Sequence, residues 1–132
     1  MLRVSVIAVA LIATAPFILQ ARADTSSDVI AMWDPDHDGT LDLAEINKAA
    51  VAEFDKLDVD HDGTLDMKDL GQRVTSAEFQ AADKDKDGTL DKAEYASIVA
   101  QRFHAADPDN DATIDAKELR TAAGARLMEL LR

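Results

Sequence analysis

Two stretches of the chain place apolar residues at helical spacing. Ile46, Ala49, Ala50, Phe54 and Leu57 form one stripe, and Tyr95, Ile98, Val99, Phe103 and Ala106 form another, each with the three-to-four-residue recurrence of a helix that buries one face. The first predicts a helix from about Leu43 to Leu57, roughly 22 Å long at about 1.5 Å per residue. Leu119, Leu127 and Leu130 predict a last helix from about Ala116 to Leu130, with Gly124 as a kink. A domain this small needs its apolar side chains for a core, so Met and aromatic residues on these stripes read as core rather than as a partner groove.

Between the stripes lies a polar segment of fixed pattern. It starts at Asp34, Asp58, Asp83 and Asp107, and reads DPDHDGTLDLAE, DVDHDGTLDMKD, DKDKDGTLDKAE and DPDNDATIDAKE. Acids occupy positions 1, 3, 5, 9 and 12 of all four, and glycine occupies position 6 of the first three. This is the pattern of an EF-hand loop, in which oxygens from positions 1, 3, 5, 7, 9 and 12 surround a hard cation. The candidate metal ligands are therefore Asp34, Asp36, Asp38, Thr40, Asp42 and Glu45 in loop 1, and Asp58, Asp60, Asp62, Thr64, Asp66 and Asp69 in loop 2. In loop 3 they are Asp83, Asp85, Asp87, Thr89, Asp91 and Glu94, and in loop 4 Asp107, Asp109, Asp111, Thr113, Asp115 and Glu118.

Each position has a physical reason. Alternate spacing turns Asp34, Asp36 and Asp38 inward as the loop wraps the ion, with His37 pointing away. Gly39 supplies the left-handed turn, the Thr40 carbonyl another oxygen, and Glu45 two oxygens from the next helix. Leu41, at position 8, is placed for the short strand contact between paired loops. Asp42 with Glu45 also reads as a capping box, as do Asp66 with Asp69, Asp91 with Glu94 and Asp115 with Glu118. Capping and ligation are compatible, and capping alone leaves the preceding run of self-repelling aspartates unexplained. The loops are unequal. Asp69 is one methylene shorter than glutamate, which weakens two-oxygen closure of loop 2. Ala112 stands where glycine is expected, and a Cβ in the left-handed region costs on the order of 1 kcal/mol, so loop 4 ranks weakest.

Only 12 residues, Ile46 to Leu57, separate the last acid of loop 1 from the first of loop 2. An exiting helix, a linker and an entering helix need about twice that, so one helix must serve both loops and hold them at opposite ends. The same holds for loops 3 and 4. The middle connection differs, with one extra residue, Gly71, and a capping-box pattern Thr75-Ser76-Ala77-Glu78. It predicts a break near Arg73 to Ser76 that folds loop 2 beside loop 3, sets the long helices antiparallel and brings loop 1 near loop 4. The predicted fold class is all-α: a compact EF-hand helical bundle with four metal loops joined by short shared helices.

Charge and composition sharpen this. The chain of 132 residues carries 14 Lys plus Arg against 26 Asp plus Glu, a formal charge of -12, and no cysteine. Such a balance repels nucleic acid and anionic membranes, and any bound metal must be held by oxygen. Arg3, the uncharged apolar run Val4 to Leu19 and the Ala21-Arg22-Ala23 end predict a secretory signal peptide, residues 1–23, cleaved after Ala23. The alternative is an uncleaved anchor, opposed by Pro16 and the Ala-x-Ala end. Cleavage removes Arg3 and Arg22 but no acid, leaving residues 24–132, the four-loop EF-hand domain, at 12 minus 26, or -14. An exported chain without disulfides needs another stabiliser, and metal is the candidate. Five acids in each loop leave three charges uncompensated by a divalent ion and two by a trivalent one, which favours the higher charge.

Four loops with Asp at position 9, connections of 12 to 13 residues, Pro35 and Pro108 at position 2, the export signal and the ending ARLMELLR resemble the lanmodulins, periplasmic lanthanide-binding EF-hand proteins of methylotrophic bacteria. The likeness runs from about Met32 to Arg132. It implies shared helices, ordering on metal and a preference for lanthanide(III) ions, in three to four sites, over Ca2+. Val59 and Lys84 replace the proline in loops 2 and 3. The competing function is a periplasmic calcium buffer or sensor using the same ligands. A dockerin-like module, built on two repeats, fits four repeats poorly. The sequence singles out no protein partner, and no stable membrane association after signal cleavage. Enzymatic chemistry is not expected: His37 and His61 sit at outward loop positions, His104 lies on a helix, and no nucleophile-base pattern occurs.

Overall fold

Every helix that leaves one of the four loops begins on an aspartate that caps it. Asp42, Asp66, Asp91 and Asp115 each accept a hydrogen bond from the backbone N–H three residues on, while the acid at that third position accepts the N–H of the cap itself. Helices end on the next loop's first aspartate: the N–H groups of Asp34, Asp58, Asp83 and Asp107 donate to the carbonyls of Ile30, Phe54, Phe79 and Phe103. Those four apolar residues are all buried, so each loop is anchored to the core one helical turn before it starts.

The computed structural model describes residues 25–132, and residues 1–23, expected to be a cleaved signal peptide, lie outside them. The order is α1 (Thr25–Trp33), β1 (Leu41–Asp42), α2 (Leu43–Leu57), α3 (Met67–Leu70), α4 (Ser76–Ala82), α5 (Lys92–Ala106), β2 (Thr113–Ile114), α6 (Ala116–Leu119) and α7 (Ala122–Met128). The architecture is the expected helical EF-hand bundle, and α2 spans the residues its apolar stripe predicts. The chain breaks between α3 and α4 through Gly71, at φ 57°, and Thr75 with Glu78 caps the restart. No helix among the described residues is long and apolar enough to cross a membrane.

The loops pair across the bundle as the spacing requires. β1 and β2 are antiparallel, with Leu41 opposite Ile114, which joins loop 1 to loop 4. Leu65 and Leu90 exchange backbone hydrogen bonds of 2.9 and 2.8 Å, which joins loop 2 to loop 3. Both shared helices run between these two ends in opposite directions, packed through Phe54 and Tyr95, whose rings meet edge to face at 5.7 Å. Burial pushes the Tyr95 hydroxyl up to about 12, so it stays a donor to the Leu130 carbonyl, at 2.7 Å.

The last helix differs from the expectation. Instead of one helix from Ala116 to Leu130 kinked at Gly124, the chain stops at Leu119 and restarts as α7, capped by the Thr121 hydroxyl. The restart folds α7 back against α6, and Gly124 is where the backbones touch. A Cβ there would collide with the Glu118 carbonyl oxygen and lie 2.5 Å from Leu119 Cα. Close approach, rather than a kink, explains this glycine. Gly124→Ala is expected to destabilise the metal-saturated protein by about 2 kcal/mol or more, measurable by urea unfolding.

A buried ion pair closes the back of the bundle. Arg102 of α5 donates to both carboxylate oxygens of Glu78, at 3.0 and 3.1 Å. Burial works to push the Glu78 carboxyl up, but the Arg102 guanidinium and the Thr75 N–H and hydroxyl outweigh it and hold it at about 2, against an ordinary 4.5. Because the folded value is the lower one, this stabilisation is complete above about pH 4.5 and is lost as pH falls from there toward 2. The melting-temperature gap between wild type and Glu78→Gln, both metal-saturated, should therefore shrink from pH 6 to pH 3.5. A gap that stays constant would contradict the assignment.

Candidate metal centre

The first aspartate organises each loop. One oxygen of Asp34 accepts the Asp38 N–H at 3.2 Å and the other the Gly39 N–H at 2.9 Å. Asp58, Asp83 and Asp107 hold the matching N–H groups at 3.0 to 3.2 Å. Asp34, Asp58 and Asp107 are buried, Asp83 half-buried. Position 5 carries its own bonds: Asp38, Asp62, Asp87 and Asp111 each accept both the N–H and the hydroxyl of the threonine two residues on, at 2.7 to 2.9 Å. This fixes Thr40, Thr64, Thr89 and Thr113 at position 7.

Two left-handed residues bend each loop, where the sequence pattern marks only one. Gly39, Gly63 and Gly88 take φ of 85 to 86°, and Ala112 takes 69°. Position 4 is left-handed as well, with His37, His61, Lys86 and Asn110 at φ 56 to 60°. The available signal was weak: Asn and His tolerate this region better than most side chains, but Lys86 gives no hint. The histidines are thus turn residues. His37, His61 and His104 are all exposed, the last edge-on to Phe103 at 5.8 Å.

Carboxylate oxygens converge in every loop. Asp34, Asp36 and Glu45 come together in loop 1, Asp83, Asp85 and Glu94 in loop 3, and Asp107, Asp109 and Glu118 in loop 4, with one oxygen of each within 4.8 Å of the others. That separation suits a shared ion, since two oxygens each about 2.4 Å from one calcium-like ion lie at most about 4.8 Å apart. Loop 2 gathers Asp58, Asp60 and Asp62 instead. Asp69 stays outside, its carboxylate on the Asp66 N–H at 2.9 Å, which is what its shorter side chain foretells. Position 9, namely Asp42, Asp66, Asp91 and Asp115, serves as helix cap and lies outside the converging groups.

Crowding shows in the acidities. The hydrogen bond shared with Asp34 pushes the Asp36 carboxyl up, and neighbouring charges add to this. Burial raises Glu45 and Glu118, again with repulsion from loop aspartates. The Thr89 and Thr113 hydroxyls and N–H groups lower Asp87 and Asp111. Loop 3 has an extra bond: the Lys84 N–H donates to Glu94 at 2.9 Å. Pro35 and Pro108 have no N–H to offer Glu45 and Glu118 in the same way.

Residues 50–74 and 77–100 match the EF hand family, spanning loops 2 and 3 and the helices that flank them. These are EF hands. Loops 1 and 4 lie outside the matched residues yet repeat the same hydrogen bonds and turns, so the chain carries four acidic loops of one design. A comparison with curated proteins finds no match. Segments similar to EF hands, with carboxylates converging in all four loops, make this a metal-binding chain.

Ala112 is the strained member of the four turns. Ala112→Gly removes a left-handed Cβ and should tighten one metal site about fivefold, the equivalent of about 1 kcal/mol, with the other sites unchanged in a calorimetric titration.

Proposed function

We propose that the chain is a periplasmic protein that binds trivalent lanthanide ions in its EF-hand loops and folds on them. Residues Asp34 to Glu45, Asp58 to Asp69, Asp83 to Glu94 and Asp107 to Glu118 would hold the ions. Loops 1 and 3 are the most complete, loop 2 is limited by Asp69 and loop 4 by Ala112. The observation that carries this reading is the donor set. Each loop presents five carboxylates and no side-chain amide at positions 1, 3, 5 or 9, and ligand charge is one of the variables that tune such loops.

The chain's own residues prepare the site. Backbone N–H groups at positions 5 and 6 orient the first aspartate, threonine at 7 orients the fifth position, and the cap at 9 holds the start of the exit helix. Without an ion the gathered charges oppose these arrangements, so binding free energy becomes folding free energy. Export through the residue 1–23 signal supports a periplasmic setting, in which metal replaces the missing disulfides.

Trp33 adjoins Asp34 and is the single tryptophan, which makes it an antenna for terbium in loop 1. Terbium luminescence excited through Trp33 should persist, with full helicity, in a large excess of calcium. Should millimolar calcium abolish the signal while giving the same helicity, the protein is a calcium buffer or sensor instead.

A further inference from the structure

Arg102 is a buried cation, 7% exposed, on the one helix that loops 3 and 4 share. Its partners come from three other segments. Glu78 is in α4, which runs into the first aspartate of loop 3. The Arg73 carbonyl, 2.7 Å from the guanidinium, is in the turn that follows the exit helix of loop 2. The Arg126 carbonyl, also hydrogen-bonded to it, is in α7, beyond the exit helix of loop 4. Glu129 adds a carboxylate at 3.6 Å.

We propose that Arg102 is a positioning residue that couples loops 2, 3 and 4, so that filling one favours filling the other two. The proposal rests on the metal-binding reading above. The physical reason is that a guanidinium carries five donors and no acceptor, and a buried charge with some partners missing costs more than the remaining contacts return. The clasp is therefore stable only when all its segments are in place. Loop 3 orders α4 against α5, loop 2 orders the chain leading to Arg73, and loop 4 orders the chain leading to α7. Each filled loop supplies acceptors that make the remaining assembly less costly, which is a coupling free energy between sites.

Terbium titration of the full mature chain, followed by far-UV ellipticity, tests this. Wild type should titrate with a Hill coefficient of about 2 or more, and Arg102→Met, which keeps the apolar stem and removes the charge, should fall toward about 1 with the same helicity at saturation. Arg102→Lys, a single point charge, should give an intermediate value. Either a coefficient near 1 in wild type, or an unchanged coefficient in Arg102→Met at full helicity, overturns the proposal. If Arg102→Met does not reach full helicity, Glu78→Gln decides, because it keeps the capping box and loses the ion pair; a wild-type coefficient there overturns coupling. Should calcium displace terbium, the same coefficients are read in a calcium titration, so coupling and lanthanide preference fail separately. Absence of any metal uptake would overturn both.

Discussion

Five carboxylates crowded into one twelve-residue loop repel one another, and the rest of the structure is arranged to make that tolerable. Within each loop the backbone does part of the work: N–H groups at positions 5 and 6 converge on the first aspartate, and threonine at 7 neutralises some of the charge at 5. Two left-handed residues per loop are needed to aim those donors inward. Helix caps take care of positions 9 and 12, where the positive end of a helix favours an acid. Even so, carboxylate oxygens of positions 1, 3 and 12 still converge in loops 1, 3 and 4. The carboxyl groups of Asp36, Glu45 and Glu118 are held above their ordinary range, Asp36 by its hydrogen bond with Asp34 and the two glutamates by burial, with neighbouring charges adding to each.

The same demand explains the apolar framework. Each loop has a buried side chain four residues before its first aspartate, Ile30, Phe54, Phe79 or Phe103, and another at position 8, Leu41, Leu65, Leu90 or Ile114. The loop is thus held on both flanks while its middle faces solvent. Sharing α2 and α5 between loops halves the helix needed and places two loops at each end of the bundle. Pairing through position 8 then links loop 1 with 4 and loop 2 with 3.

Cations are scarce in the chain, and the two arginines nearest the core act as crosslinks. Arg102 gathers Glu78 and two carbonyls, while Arg73 donates to the Arg132 carbonyl at 2.9 and 3.1 Å and lies 3.6 Å from the buried Glu53. With the Tyr95 bond to Leu130, these contacts fix the chain's end against the middle of the bundle. The positive charges of the two arginines meet Glu78 and Glu53, carboxylates that lie outside the four loops, and so order the scaffold.

Period and spacing made much of this legible in advance. The loop boundaries, the shared helix from Leu43 to Leu57 and the break before Thr75 follow from local rules, because each depends on neighbouring residues, and the pairing of position 8 follows from the lengths of the connections between loops. The second left-handed residue at position 4 escaped, since His and Asn mark it only weakly and Lys86 not at all. The fold-back at Thr121, the role of Gly124 and the Arg102 clasp escaped for a different reason: their partners are set by which surfaces meet after the helices pack. Arg102 lies 24 residues from Glu78 and 29 from Arg73, and no periodicity connects them. By itself the sequence determined the four acidic loops and the helices between them, because acids at fixed spacing and apolar stripes act locally. Only the tertiary structure decided how the last helix divides and where the buried charge finds its acceptors, because those depend on distances that the chain acquires on folding.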